Sequence, residues 1–284
     1  MQTIQWFPGH MAKAKREISE KVKLVDLVIE LKDARIPYSS TNPMISEIIG
    51  NKPRLILLCK SSLADPNITK DWMSYYETEK MISLDIDSIT GYHTKDILKY
   101  ANIALKEVFE KRKSKGITSK TIKAMILGIP NVGKSTLINT LAKRKATTVG
   151  DRPGVTKNQT WIKITDTLYL LDTPGILWPK FEDQEVGLKL AMCGSIKDEI
   201  LDLNGLVLAS LEYISRNYPE QLKNRYKIEI SDPESMQSQI GKNRGFLSKG
   251  GLVDLERTNR MFINELRGMK IGAMSYERPE DKSI

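Results

Sequence analysis

The stretch Lys123-Ala-Met-Ile-Leu-Gly128-Ile-Pro-Asn-Val-Gly-Lys-Ser135-Thr-Leu-Ile-Asn-Thr-Leu141 decides the fold. An apolar, strand-like run (123–127) leads into an octet matching G-x-x-x-x-G-K-[ST], and a helix-forming run follows. A Gly-rich turn matching by chance would lack those two flanks. In such a loop successive backbone N–H groups curl around phosphates, and Gly133 lets the chain approach without a Cβ in the way. Lys134 supplies a point charge to the outer phosphates, and Ser135 offers a hydroxyl to Mg²⁺. The chemistry implied is the grip of a triphosphate tail with a divalent cation.

Downstream, Leu168-Tyr-Leu-Leu-Asp172-Thr-Pro-Gly175 reads as a strand delivering Asp172 to the metal shell and the Gly175 amide to a γ-phosphate. Between the two lies Gly154-Val-Thr156-Lys157, whose threonine offers a second hydroxyl for magnesium. Further β-rich runs occur at 25–31, 54–58, 81–84 and 160–164, with helix-length segments at 94–112 and 134–141 between them. That alternation predicts an α/β domain with a mostly parallel sheet. Basic residues on the polar positions of 11–24 predict an amphipathic helix ahead of the first strand. Beyond Pro179 the spacing turns helical, at 186–192, 196–211, 219–226 and 252–266. The expected organisation is an α/β domain over 1–178, a linker over 179–184 and an all-helical domain over 185–284, with a frayed end from Ser275.

Of the 284 residues, 40% are apolar and 28% charged, the balance of an ordinary core-forming chain. The longest apolar runs, Leu55 to Cys59 and Leu206 to Ala209, fall far short of the roughly 18 residues of a membrane span. The N-terminus has no basic segment ahead of a long apolar core, so a cytoplasmic protein is expected. Cys59 and Cys193 are too few for a disulfide framework or a zinc site. The net charge is +9; 29 basic and 20 acidic residues precede Gln184, with 15 of each after it. Such a surplus points to a polyanion, nucleic acid ahead of anionic lipid, unless it only solubilises the surface.

A base-recognition element should end another strand, and the candidate, Leu57-Leu-Cys59-Lys60-Ser61-Ser62-Leu63, lies upstream of the phosphate loop. The motif order is therefore permuted. With Gln5-Trp-Phe-Pro-Gly-His10-Met-Ala-Lys-Ala14, Asp33-Ala-Arg-Ile-Pro37, Asp151-Arg-Pro-Gly-Val-Thr156 and Leu171-Asp-Thr-Pro-Gly-Ile-Leu-Trp-Pro-Lys-Phe181, the chain resembles the YlqF/YawG family of circularly permuted GTPases. The resemblance extends more loosely through Gly194-Ser-Ile-Lys-Asp198 and Gly241-Lys-Asn-Arg-Gly245. It implies a P-loop GTPase domain followed by a helical domain that binds RNA or the ribosome. The implied protein is a monomer that uses GTP, Mg²⁺ and K⁺ at a late step of large (50S) subunit assembly and contacts the precursor particle and its rRNA.

The resemblance also implies site residues. Asn131, Val132, Gly133, Lys134, Ser135 and Thr136 line the phosphates with Gly175; Ser135, Thr156 and Asp172 serve the metal. Its guanine element, Asn-Lys-x-Asp, reads Cys59-Lys60-Ser61-Ser62 here, and Asp87-Ser88 resembles its last base-contacting loop. One serine hydroxyl cannot replace a carboxylate that accepts two guanine donors. Guanine preference is then weakened, unless a shifted register brings in Asp65. The alternative is an RNA-binding assembly protein with a degenerate nucleotide site. Ile176 stands where many GTPases carry a water-orienting glutamine, so the resemblance implies slow, partner-stimulated hydrolysis. In it Asn131 helps hold K⁺, although an asparagine also suits a plain turn, and with Lys134 neutralises developing charge. The histidine of Pro-Gly-His-Met, His10, orients water or, equally, contacts RNA. Candidate RNA-phosphate contacts are Lys13, Lys15, Arg16, Lys111, Arg112, Lys113, Lys143, Arg144 and Lys145. The permutation also sends the segment after Asp172 straight into the helical domain, a route by which nucleotide state could reposition it.

Overall fold

Strand β1 (Leu27–Asp33) is buried at every position, as a strand covered on both faces must be. The computed structural model describes residues 16–78, 81–142, 161–173 and 183–282. In it β2 (Arg54–Cys59), β3 (Met81–Asp85), β4 (Ile122–Gly128), β5 (Trp161–Lys163) and β6 (Leu168–Leu171) complete a sheet of order β3-β2-β1-β4-β6-β5. All neighbours are parallel except β5 and β6. Each strand-like run of the sequence falls on one of these six.

Register sorts the side chains by face. Val28 lies opposite Met125 and Glu30 opposite Ile56, so these four share one side of the sheet. There Val28, Met125, Leu127 and Leu171 pack with Ile18 and Val22 from helical residues 16–22, and with Ile45 and Ile49 of α1 (Pro43–Ile49). Further along the same side, Ile56 and Leu58 pack with Ile68, Trp72 and Tyr76 of α2 (Pro66–Tyr76). The connections β1–β2–β3 step one way across the sheet, and the return to β4 steps the other. Right-handed crossovers therefore send α3 (Ile97–Ala104) and α5 (Lys134–Ala142) to the opposite face. The helix expected over 94–112 is interrupted at Leu105, buried at the junction of α3 and α4 (Lys106–Ser114); α4 itself buries no residue.

Among the described residues, 16–173 with 277–282 form one unit and 183–276 a second. The second holds α6 (Gln184–Met192), α7 (Leu203–Asn217), α8 (Pro219–Tyr226), α9 (Pro233–Asn243) and α10 (Leu255–Arg267). Aspartates cap four of these: Asp183, Asp202, Asp232 and Asp254 each accept a backbone N–H of the first turn, at 2.8–3.1 Å. Gly241 permits close packing of α9, since a Cβ there would lie 2.3 Å from Val253 Cγ1 and 2.7 Å from Thr258 Oγ1.

The frayed end expected from Ser275 is corrected by the structure: Ser275, Tyr276 and Glu277 are all buried. Glu277 belongs to the α/β unit, where its carboxylate accepts the Tyr38 and Ser39 amides and the Ser39 hydroxyl. The Trp72 indole donates to its carbonyl at 3.1 Å. Polar composition misled here, because these polar groups are satisfied inside the fold rather than by water.

Candidate nucleotide site

The strand order reverses between β1 and β4, and in a doubly wound sheet the crevice at the carboxyl ends of such strands is the ligand site. Cys59 ends β2 and Lys60 to Ser62 follow it, Asp87 and Ser88 follow β3, Asn131 to Thr136 follow β4, and Asp172 follows β6. His10, Thr156 and Gly175 lie outside the described residues.

The phosphate half is built from β4 and β6. Gly128 closes β4 where a Cβ would sit 2.9 Å from Val132 Cγ1 and 3.1 Å from Leu31 Cβ, so only glycine lets the loop turn there against β1. Asn131 (φ 59°) and Gly133 (φ 107°) curl the chain through left-handed conformations, and Val132 is buried as the anchor between them. The Leu137 amide donates to the Gly133 carbonyl at 2.9 Å, opening α5. The amides just ahead of it belong to the first turn, whose N–H groups have no partner within the helix. Pairing of Met125 with Leu171 brings the end of β6 alongside, and the Lys134 ammonium ion-pairs with the Asp172 carboxylate. The Thr173 hydroxyl donates to the Ile126 carbonyl at 2.6 Å, holding the chain just beyond Asp172.

This donor set fits a triphosphate with Mg²⁺. Among the described residues no group of three His, Cys, Asp or Glu side chains could cage a metal. Magnesium commonly takes one or two protein oxygens and completes its shell from phosphates and water, and Ser135 and Asp172 suit that role.

The residues expected at the base lie at the ends of β1, β2 and β3. Lys60 adopts φ 58° and places Nζ 3.0 Å from Asp33 Oδ2. Arg35 clamps the same carboxylate through Nε at 2.9 Å and Nη2 at 2.8 Å. Burial opposes ionisation of Asp33, but Arg35 and Lys60 outweigh it and hold the carboxyl well below the usual carboxylate range. Cys59 is buried, with Sγ 3.6 Å from the Leu57 carbonyl; burial, then the Asp33 charge, pushes the thiol up. It supports the loop from beneath.

The next two residues bridge to β3. The Ser61 amide donates to the Ile86 carbonyl at 3.1 Å, and the Ser62 hydroxyl donates to Asp87 Oδ2. Asp87 Oδ1 accepts the amides of Ile89 at 2.8 Å and Thr90 at 3.1 Å. Ser88 offers its carbonyl to Thr140 Oγ1 at 3.0 Å, tying this loop to α5. Ser61, Ser62, Asp87, Thr90 and Tyr92 line an open groove of about 350 Å³, together with Pro66, Thr69 and Lys70 of α2 and Asp85 of β3. Asp65 is committed elsewhere: its carboxylate caps α2, accepting the Asn67 amide at 2.9 Å and the Ile68 amide at 3.4 Å. The Asp33–Arg35–Lys60 triad and the Ser62–Asp87 bond were not anticipated; Asp33-Ala-Arg-Ile-Pro37 stood out only through the resemblance.

Comparison with known proteins gives consistent matches. Residues 123–233 match the profile of a family described as "50S ribosome-binding GTPase". A ribosome biogenesis GTPase A from Bacillus cereus is 52% identical over 280 residues, covering 98% of this chain and 95% of the relative. One from Thermotoga maritima is 32% identical over 278 residues, covering 98% and 95%. Among solved structures, a GDP-bound YlqF superposes with a TM-score of 0.68 at 28% identity, covering 94% of this chain and all of the other. A GNP-bound YlqF from T. maritima gives 0.63 at 28% identity, with 94% and 99% covered.

Proposed function

Since the chain belongs to the ribosome biogenesis GTPase A family and is a GTP hydrolase of ribosome assembly, we propose that it acts at a late step of large (50S) subunit maturation. In this reading it binds the precursor particle through rRNA in its GTP state, hydrolyses GTP as assembly completes, and departs. It works in the cytoplasm as a monomer.

The observation that carries the reading is the Lys134–Asp172 pair, which joins the phosphate loop to the acid 38 residues further along the chain. A triphosphate tail would offer Lys134 a stronger anionic partner and free the Asp172 carboxylate, which with the hydroxyls of Ser135 and Thr156 would hold Mg²⁺. The amides of Asn131 to Thr136, with that of Gly175, hold the phosphate oxygens. Lys134 meets charge that develops between the β- and γ-phosphates, and K⁺, which Asn131 would help to hold, would supply a further positive charge there. His10 orients the attacking water. Cys59, Lys60, Ser61, Ser62, Asp87 and Ser88 form the base end. The basic surplus before Gln184 supports the rRNA contact, with Arg16, Lys111 and Lys113 exposed among its carriers.

The test is co-sedimentation of the full chain with purified large-subunit precursors. Retention with a non-hydrolysable GTP analogue and release with GDP is expected. Equal retention in both states, or equal association with the small subunit, would contradict the reading. His10→Ala should lower particle-stimulated hydrolysis at unchanged nucleotide affinity; an unaltered rate removes it from catalysis.

A further inference from the structure

Guanine shows two hydrogen-bond donors on one edge, N1–H and the 2-amino group. The family pattern meets them with one carboxylate after β2, yet Ser62 stands at that position. We propose that the Ser62–Asp87 pair reads this edge jointly, the carboxylate having moved from the loop after β2 to the loop after β3, so that Asp87 is a specificity-determining residue.

Counting lone pairs gives the physical ground. A hydroxyl has one proton and two acceptor lone pairs, and a carboxylate has about four acceptor positions. Ser62 spends its proton on Asp87 Oδ2, so what it turns to a ligand is an acceptor only. Asp87 Oδ1 is engaged by the Ile89 and Thr90 amides, and Oδ2, holding one bond from Ser62, has a position left. The pair therefore offers two adjacent acceptors, the number that guanine's edge requires. A lone serine could rotate to donate instead; this one is held by its partner.

Surrounding contacts fix the arrangement. Leu58 of β2 lies in register with Asp85 of β3, and the Ile86 amide donates to the Leu58 carbonyl at 2.9 Å, so the two loops leave the sheet side by side. Ser62 is exposed and Asp87 is only 4% exposed; both line the groove beside these loops. Asp87 remains an acceptor at neutral pH: burial opposes its charge, but hydrogen bonds from Ser62 and the Thr90 and Ile89 amides outweigh that and lower its pKa. Of the other carboxylates nearby, Asp65 is held at the start of α2 by its cap bonds, and Asp85, which also lines the groove, lies with Oδ1 3.1 Å from His93 Nδ1. Lys60 is paired with Asp33 rather than with Asp87, and its stem is left to cover the base.

The inference rests on the site being a GTP site, and the experiment separates the two. The full chain is titrated with GTP, inosine triphosphate, which lacks the 2-amino group, and xanthosine triphosphate, which carries a carbonyl there. The wild type should prefer GTP over both. Asp87→Asn, whose amide can donate to the xanthine carbonyl, should raise the xanthosine-to-guanosine affinity ratio by about 100-fold or more, within the range that buried hydrogen-bonding groups discriminate. Ser62→Ala leaves the Asp87 turn intact and should weaken GTP and inosine triphosphate alike, about tenfold, because both carry the N1–H that then loses its acceptor while Asp87 keeps the 2-amino group. The double variant Ser62→Asp with Asp87→Asn should restore guanine preference. An unchanged xanthosine-to-guanosine ratio in Asp87→Asn and an unchanged GTP affinity in Ser62→Ala, while the wild type binds GTP, overturn the proposal and leave the GTPase reading standing. A wild type that binds none of the three overturns both.

Discussion

The proposed phosphate half and base half of the site both lie at the carboxyl ends of the strands, yet they differ in how closely they keep the expected sequence pattern. At the phosphate half every fixed position of the pattern, Gly128, Gly133, Lys134 and Ser135, has its expected residue, and the loop curls through left-handed conformations at Asn131 and Gly133. At the base half two of three patterned positions have changed, to Cys59 and Ser62, and the neighbouring loop supplies a carboxylate hydrogen-bonded to the altered one. A site built from main chain is bound to its local sequence. One built from side chains can be redistributed between strands that sheet register already holds together.

The strongest way to break this contrast is to remove the charge under the base half. Asp33→Asn removes the buried carboxylate that Arg35 and Lys60 share and should cost about 3–5 kcal/mol of stability at neutral pH, measured by denaturant unfolding. Because Asp33 titrates lower in the folded protein than in the unfolded chain, its stabilisation is complete above its unfolded pKa of roughly 3.9 and declines as pH falls toward the folded value. Wild-type stability should therefore decline on acidification below about pH 5 more steeply than that of Asp33→Asn; parallel curves would contradict the triad.

Next in size, Lys134→Ala should lower single-turnover GTP hydrolysis by about 10²–10³-fold, the loss typical of one preorganised electrostatic contact. A milder effect would mean that the phosphate half is as replaceable as the base half. Gly128→Ala forces Val132 or Leu31 aside and should cost about 1–3 kcal/mol, read as a lowered Tm and a raised KM for GTP together. Smallest, Asp65→Ala removes a helix cap worth about 1 kcal/mol and should leave the ratio of GTP to xanthosine triphosphate affinity unchanged. A changed ratio would return Asp65 to the base site.

The sheet and the phosphate loop were legible because their signals are local: apolar runs of strand length, and an octet whose flanks complete it. Helices α2 and α9 were passed over although each opens with an Asp-Pro pair, Asp65-Pro66 and Asp232-Pro233, in which the acid caps and the proline takes the first turn. Leu105 breaks a helix that apolar spacing alone would continue, and the helix beyond it is at most half-buried. The contacts that define the base half were illegible for another reason. Ser62 and Asp87 are 25 residues apart and Lys60 and Asp33 are 27 apart, and only the order β3-β2-β1 brings them together. Glu277 meets Tyr38 across 239 residues, beyond the reach of any pattern read along the chain.

The most direct test of the nucleotide site is backbone amide NMR of the full chain during titration with Mg²⁺ and a non-hydrolysable GTP analogue. Large, saturable shifts of the Gly133, Lys134 and Ser135 amides, accompanied by a change at the Asp172 carboxylate, are predicted. Saturation of the analogue with those resonances unmoved would contradict the account.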